Sequence, residues 1–373
     1  MKLFSPSAAP DRNTLGAVPA DRQRLQFIIA LRAIASFIIL WHHFALYAPL
    51  SEWSAPLAGP LLDWLAVNAR ATQVFFVVGG YVLARSMSRK DWHSGQLRAF
   101  VVQRYCRLGV PYLGAVVLVI PAYVVARGWL PEDVVGSPVS FTQLLAHLFF
   151  LQDILGYEQL SAGLWFVCIN FQLGLMLAAM FWLRDALARR GLWQSFDVLG
   201  VVGWTLSLFS LFFFNLNDDW DRWALYFFPY FYLGVIIQRS LVSRAGKWEF
   251  LAYQAVLVAA MCFEWRWRLL SAFVVGCLLY SAEHAGWGAR WPNNRLVIWL
   301  GNLSYSLFLV HFPVLVLIAT VWTRMGWHSP MAALCGLLCA FCVSLLTASL
   351  FYRWVERPSS RLGRAQPVTL AAR

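Results

Sequence analysis

The stretch Leu31–Phe44, LRAIASFIILWHHF, decides the fold. It belongs to an apolar run that begins at Phe27, and about 20 mostly apolar residues are what an α-helix needs to cross the hydrocarbon of a bilayer. Yet the run carries Arg32, Ser36, His42 and His43. Ionisable groups at that depth are costly and point to function. Arg32 and His43 are eleven residues apart, so a helix places them on nearly one face, roughly 16 Å apart along its axis. Ser36 shares that face, whereas His42 points about 100° away. Structural readings exist: Arg32 can snorkel to the headgroups, and a histidine can bond between helices. Two adjacent histidines deep in a span weigh toward a functional His43, with His42 as a packing residue.

The rest of the chain repeats the pattern. Of 373 residues, 60% are hydrophobic and 13% charged, whereas a soluble domain is about half apolar and about a quarter charged. The expected fold is all-α, a polytopic transmembrane helical bundle of about ten spans. They begin near Phe27, Leu61, Leu108, Ala162, Phe196, Arg222, Glu249, Trp267, Ile298 and Met331. The apolar segment Leu144–Leu155 is too short to span and reads as interfacial or re-entrant. Residues 1–24 and 363–373 read as cytoplasmic tails, the first disordered, and flank a membrane domain over 25–362. The first tail lacks the apolar core of a cleavable signal peptide.

A net charge of +12 could signal a nucleic-acid partner, but the basic residues are dispersed among loops and form no stripe. They follow the positive-inside rule instead. The tail, Arg85–Arg107, Arg184–Arg190, Arg239–Lys247, Arg290–Arg295 and the C-terminal arginines fall on one side. The acids Glu52, Glu132, Asp133, Asp153, Glu158, Asp218, Asp219 and Asp221 fall on the other. Both termini are therefore expected in the cytoplasm, which requires an even number of spans. The seven cysteines show no CxxC and no Cys/His metal spacing, so they read as small hydrophobes and no metal is expected.

Further polar residues recur in the spans. Arg104–Tyr112, RYCRLGVPY, sets Arg104 and Arg107 at the cytoplasmic start of a helix. Topology alone explains basic residues there, but paired guanidinium groups also suit the phosphates of a cofactor. Ser304–Pro313, SYSLFLVHFP, adds His311, which could serve a carbonyl freed by the proline kink or join His43 as a second imidazole at similar depth. Gly79 and Gly80 in Ala71–Ser86 allow close helix approach. Asn170 and Gln172 in Gly163–Gly174 are amides of the kind that knit helices.

From about Leu25 to Leu362 the chain resembles the acyltransferase family 3 membrane proteins. The resemblance rests on ordered motifs: Arg32 and His43 at the family's Arg, ten residues, His spacing; Arg104 and Arg107 as its RxxR; Ser304, Tyr305 and His311 as its Ser-Tyr to His stretch; Tyr352, Glu356 and Pro358 as its YxxxExP ending. Two motifs depart. FFxxSG reads FFVVGG, with Gly79 for Ser and Gln73 for the preceding Asp, and LWxxxxE reads LWFVCIN, ending in Asn170. The resemblance implies a bacterial inner-membrane enzyme passing an acyl group, often acetyl, from cytoplasmic acyl-CoA to a glycan or glycolipid acceptor on the other side. It implies donor contacts for Arg104 and Arg107, a cofactor- or pore-facing role for Arg32, His43 as general base, and His311 as a residue that orients the acceptor or shares proton transfer. Intramembrane Arg and His also mark secondary transporters of small polar or acylated solutes. Against that reading, the span centres hold almost no acids. A non-catalytic scaffold is the third reading.

Overall fold

A computed structural model describes residues 20–69, 71–192, 197–291 and 294–362; residues 1–19 and 363–373 of the expected tails lie outside the described residues. The described secondary structure is helical: α1 (Ala20–Leu46), α2 (Leu50–Asn68), α3 (Thr72–Met87), α4 (Ser94–Ala126), α5 (Glu132–Val135), α6 (Phe141–Leu148) and α7 (Leu164–Arg189). There follow α8 (Val198–Phe212), α9 (Ala224–Ser240), α10 (Arg244–Phe263), α11 (Trp267–His284), α12 (Arg295–Arg324), α13 (Pro330–Phe351) and α14 (Arg357–Leu362). A π-helical turn, Tyr352–Glu356, joins the last two. Among the described residues, seven helical stretches are long and apolar enough to cross a membrane.

Each expected span falls on a helix, but α9, α10 and α11, where spans are expected from Arg222, Glu249 and Trp267, are not among these seven, and one further run is revised. The run expected from Leu61 is split between α2 and α3, at a polar stretch where the Asn68 side chain donates to the Trp64 carbonyl, a local bond that competes with the helix, and Thr72 donates to Gln73. The short segment near Leu144 forms the eight-residue α6, far short of a bilayer's thickness. It starts on a capping box in which Ser140 and Gln143 satisfy each other's backbone. Asp197, Ser243, Asn294 and Ser329 cap α8, α10, α12 and α13 in the same economical way, each side-chain oxygen accepting from an otherwise orphaned N–H.

Two seams organise the bundle. Along the first, α1 and α12 run in the same direction. Gly301 lies against Ile29, Arg32 meets Ser304 and His43 meets His311, so early residues pair with early and late with late. The second is the crossing of α3 with α9, a helix whose residues are almost all buried. A methyl group on Gly80 would overlap the Phe231 carbonyl, and one on Gly234 would overlap the Val77 carbonyl, so the two backbones touch where both side chains are missing. A methyl group on Gly79, by contrast, would sit in ordinary contact, 3.7 Å from Asn170 Oδ1 and 3.8 Å from the Phe231 ring.

These two neighbours should behave differently. Gly80→Ala should lower stability by about 1–3 kcal/mol or more, the cost of overpacking, while Gly79→Ala should be near neutral. Melting of the detergent-solubilised variants tests this, and equal melting temperatures would contradict the crossing.

Candidate functional site

The site has two ends, both built on the α1–α12 seam. At one end His43 Nδ1 and His311 Nε2 are 2.7 Å apart, with the rings nearly parallel at 5° and their centroids 4.9 Å apart. His311 Nδ1 lies 3.0 Å from the Leu307 carbonyl. A carbonyl can only accept, so in the neutral pair His311 carries its hydrogen on Nδ1 and its Nε2 accepts from His43 Nδ1–H. His43 Nε2 then bears a lone pair. Leu307 is not the carbonyl that Pro313 leaves without its helical donor, which is Leu309; His311 is held for His43 and does not merely mend the kink. His42 donates to the Leu65 carbonyl of α2 at 3.1 Å, with its ring 5.3 Å from that of His43, and it lines the same cavity.

His43, only 8% exposed, lines a cavity of about 490 Å³. That volume falls within the ~300–1,000 Å³ usual for small-molecule sites. Opposite the imidazole the wall holds Gln73, Asp153, Gln159, Trp165, Asp221 and Arg222. Gln73 is buried at the start of α3. Burial raises Asp153 and Asp221 above the usual carboxylate range, and each carries a further upward push from a neighbouring aspartate.

At the other end of the seam Arg32 donates to Ser304 Oγ at 2.9 Å. Arg107 and Glu356 lie within its electrostatic reach, and Arg104 lies within that of Arg107. The three arginines expected from sequence are thus brought into one cluster. Glu356 is the addition: it accepts from Ser306 Oγ at 2.5 Å and is aimed inward by the π-helical turn, an irregularity common at functional sites. Sequence motifs named Glu356 but gave it no task. Arg104 donates to the Asn170 carbonyl at 2.6 Å and to its side-chain oxygen at 3.2 Å, while its buried Nε has no partner. Gly174 leaves room for that guanidinium, which a side chain there would strike. Arg107 is exposed. His43 and Arg104 therefore belong to opposite ends of the site and do not meet.

Against known proteins, a family profile described as Acyltransferase domain matches residues 25–349. The chain belongs to acyltransferase family 3. Proteins of Staphylococcus aureus strains COL, MSSA476 and MRSA252 that carry the name O-acetyltransferase are each 21% identical over 349 residues, 81% of this chain and 54% of theirs. The chain thus spans about half the length of these relatives. No solved structure matches it. In acyltransferase family 3 terms, the two departures from the motifs are neighbours: Gly79 replaces the Ser and Asn170 the Glu, and the space beside Gly79 opens onto Asn170. Arg104 is consequently held by a neutral amide.

A chain of buried polar groups leads away from the cavity. Asp153 accepts from Gln159, whose own oxygen accepts from Gln152 at 3.5 Å. Gln152 also donates to Cys168 Sγ at 2.8 Å, the thiol reaches the Tyr112 hydroxyl at 3.7 Å, and Tyr112 donates to His147 Nδ1 at 2.5 Å. Burial pushes His147, on the short helix α6, down to about 4, against about 6.5 in an unfolded chain. The unfolded chain therefore takes the proton first. Stability from this group is complete above about pH 6.5 and is lost as pH falls from there toward 4. The melting temperature should drop between pH 7 and pH 5, and His147→Gln should flatten that slope; an unchanged slope assigns the acid sensitivity elsewhere.

Proposed function

We propose that the chain is a membrane acyltransferase that moves an acyl group, by preference acetyl, from cytoplasmic acyl-CoA to a hydroxyl of an extracytoplasmic carbohydrate. One observation carries the reading: an imidazole whose Nδ1–H is fixed by a second histidine and whose Nε2 lone pair belongs to a ligand-sized cavity. The acceptor hydroxyl hydrogen-bonds to His43 Nε2. As its oxygen attacks the thioester carbonyl, the proton passes to Nε2, a task suited to imidazole near neutral pH. The C–S bond then breaks, and the departing sulfur takes that proton back. His311 acts on His43: it holds the ring and its tautomer, and it accepts from the imidazolium's Nδ1–H while the charge lasts.

The donor belongs at the arginine end. Arg104 and Arg107 hold its phosphates, with guanidinium forks suited to that geometry, and Arg32 meets a polar part of the donor further inside. The arrangement in the membrane follows from charge and packing. Ten spans with both termini cytoplasmic place the basic loops inside. The parallel run of α1 and α12 requires an odd number of crossings between them, which the seven expected spans from Leu61 to Trp267 supply. A bacterial cytoplasmic membrane fits this topology.

The test is transfer from radiolabelled acetyl-CoA to a glycan panel by the protein in liposomes. His43→Ala should reduce transfer by about 10²–10⁴-fold, the usual share of a general base. His311→Ala should reduce it by about 10–100-fold, as loss of an orienting partner does elsewhere. Transfer that survives His43→Ala removes the assigned base, and acceptor uptake without acylation favours a transporter. Replacing Arg104 and Arg107 together by Ala should weaken acetyl-CoA binding, whereas unchanged binding takes them out of the site. Tags at both termini should be inaccessible from outside intact cells; an accessible tag at either end contradicts the even count.

A further inference from the structure

The cavity that holds His43 has a second wall with a composition of its own. Asp153 comes from the turn after α6, Asp221 from the loop before α9, and Trp165 from the first turn of α7. Asp153 does not swing freely. One of its oxygens is taken by the Gln159 amide, and Gln159 is itself fixed by the fully buried Gln152, which leaves the second carboxylate oxygen for a ligand. Asp221 is close enough for the two negative charges to repel. Two arginines share this wall. Arg268 donates to Asp218 at 3.4 Å and to the Tyr226 hydroxyl at 2.5 Å, and it lies over the Tyr226 ring at 5.3 Å. Arg222 stands beside both aspartates and partly offsets them. Trp165 packs against Phe227 at 5.4 Å between centroids and is only partly buried, so it presents an aromatic surface to the cavity.

These features define a ligand class. Carboxylates that already repel one another gain from hydroxyl donors, which bring hydrogen bonds without charge. A ligand bearing its own carboxylate would add a third negative charge to a wall where Arg222 already offsets both aspartates and Arg268 is bonded to Asp218. The tryptophan offers a flat apolar surface beside these polar groups. We propose that this wall is the acceptor-specificity site, that Asp153 and Asp221 grip hydroxyls of an uncharged sugar ring lying on Trp165, and that the same pair rejects acidic sugars. The proposal rests on the reading of the cavity as the acceptor site, and it adds which acceptors enter.

Binding tests it apart from transfer. The full chain in nanodiscs is titrated, without donor, with a neutral glucose oligomer and with the same oligomer oxidised to uronic acid at C6. The neutral oligomer should bind at least tenfold more tightly. Asp153→Asn should weaken its binding about tenfold and narrow the preference. Asp221→Asn, on a different loop, should narrow the preference as well, and both variants should melt near the wild-type temperature. Equal or tighter binding of the uronate by the wild type overturns the proposal. So does an unchanged preference in both well-folded variants. Transfer without the preference removes this inference and leaves the acyltransferase reading intact; the preference without transfer does the reverse.

Discussion

A polar group inside a membrane bundle must find its partner within the protein, because no water is there to supply one. In this chain that constraint falls chiefly on one short stretch of α12. Ser304 accepts from Arg32, Tyr305 donates to the Leu108 carbonyl of α4, Ser306 donates to Glu356, and His311 receives His43. Four obligations, three of them on consecutive residues and the fourth further along the helix, bind α1, α4 and the π-helical turn to a common post. Any rearrangement of one would strand a buried polar group on another, which is why the arginine cluster and the histidine pair hold fixed relative positions.

The two ends differ in electrostatic character as well as in residues. At the arginine end Arg32 and Arg107 act on Glu356, while Arg104, beside Arg107 and held by Asn170, lacks a carboxylate of its own. Around His43 the balance is even, with aspartates and arginines interleaved along the cavity. One end therefore favours an anion, and the other favours a ligand that brings hydrogen bonds without net charge.

Much of this was legible in the sequence, for reasons that separate clearly. Apolar run length located the helices, since crossing a bilayer is a local requirement that a window of residues either meets or fails. Helical periodicity put Arg32 and His43 on one face; it did not show that His42, bonded to α2, also lines the cavity. The break between α2 and α3 was missed because the interrupting residues, Asn68, Thr72 and Gln73, are individually tolerable in a span. The pairing of His43 with His311 spans 268 residues, and no local pattern encodes which distant side chain completes a hydrogen bond. Glu356 stood inside a recognised motif, but its task became visible only when the π-helical turn aimed it at Ser306. Asp153, Gln159 and Asp221 looked like ordinary loop acids and amides, because a cavity wall is assembled from segments that share nothing in sequence.

The parallel seam of α1 and α12 also acts as a ruler. Arg32 and His43 sit on one rigid rod, so their separation of roughly 16 Å is fixed by the rise of the helix and cannot be shortened by moving a loop. Anything anchored at the arginines and consumed at the imidazole must carry its own reach, as a long, slender arm threaded beside α1 would. A single residue inserted between Ser36 and His43 would lengthen the rod by only about 1.5 Å, yet turn the imidazole about 100° off the seam. The helix thus measures angle far more strictly than length.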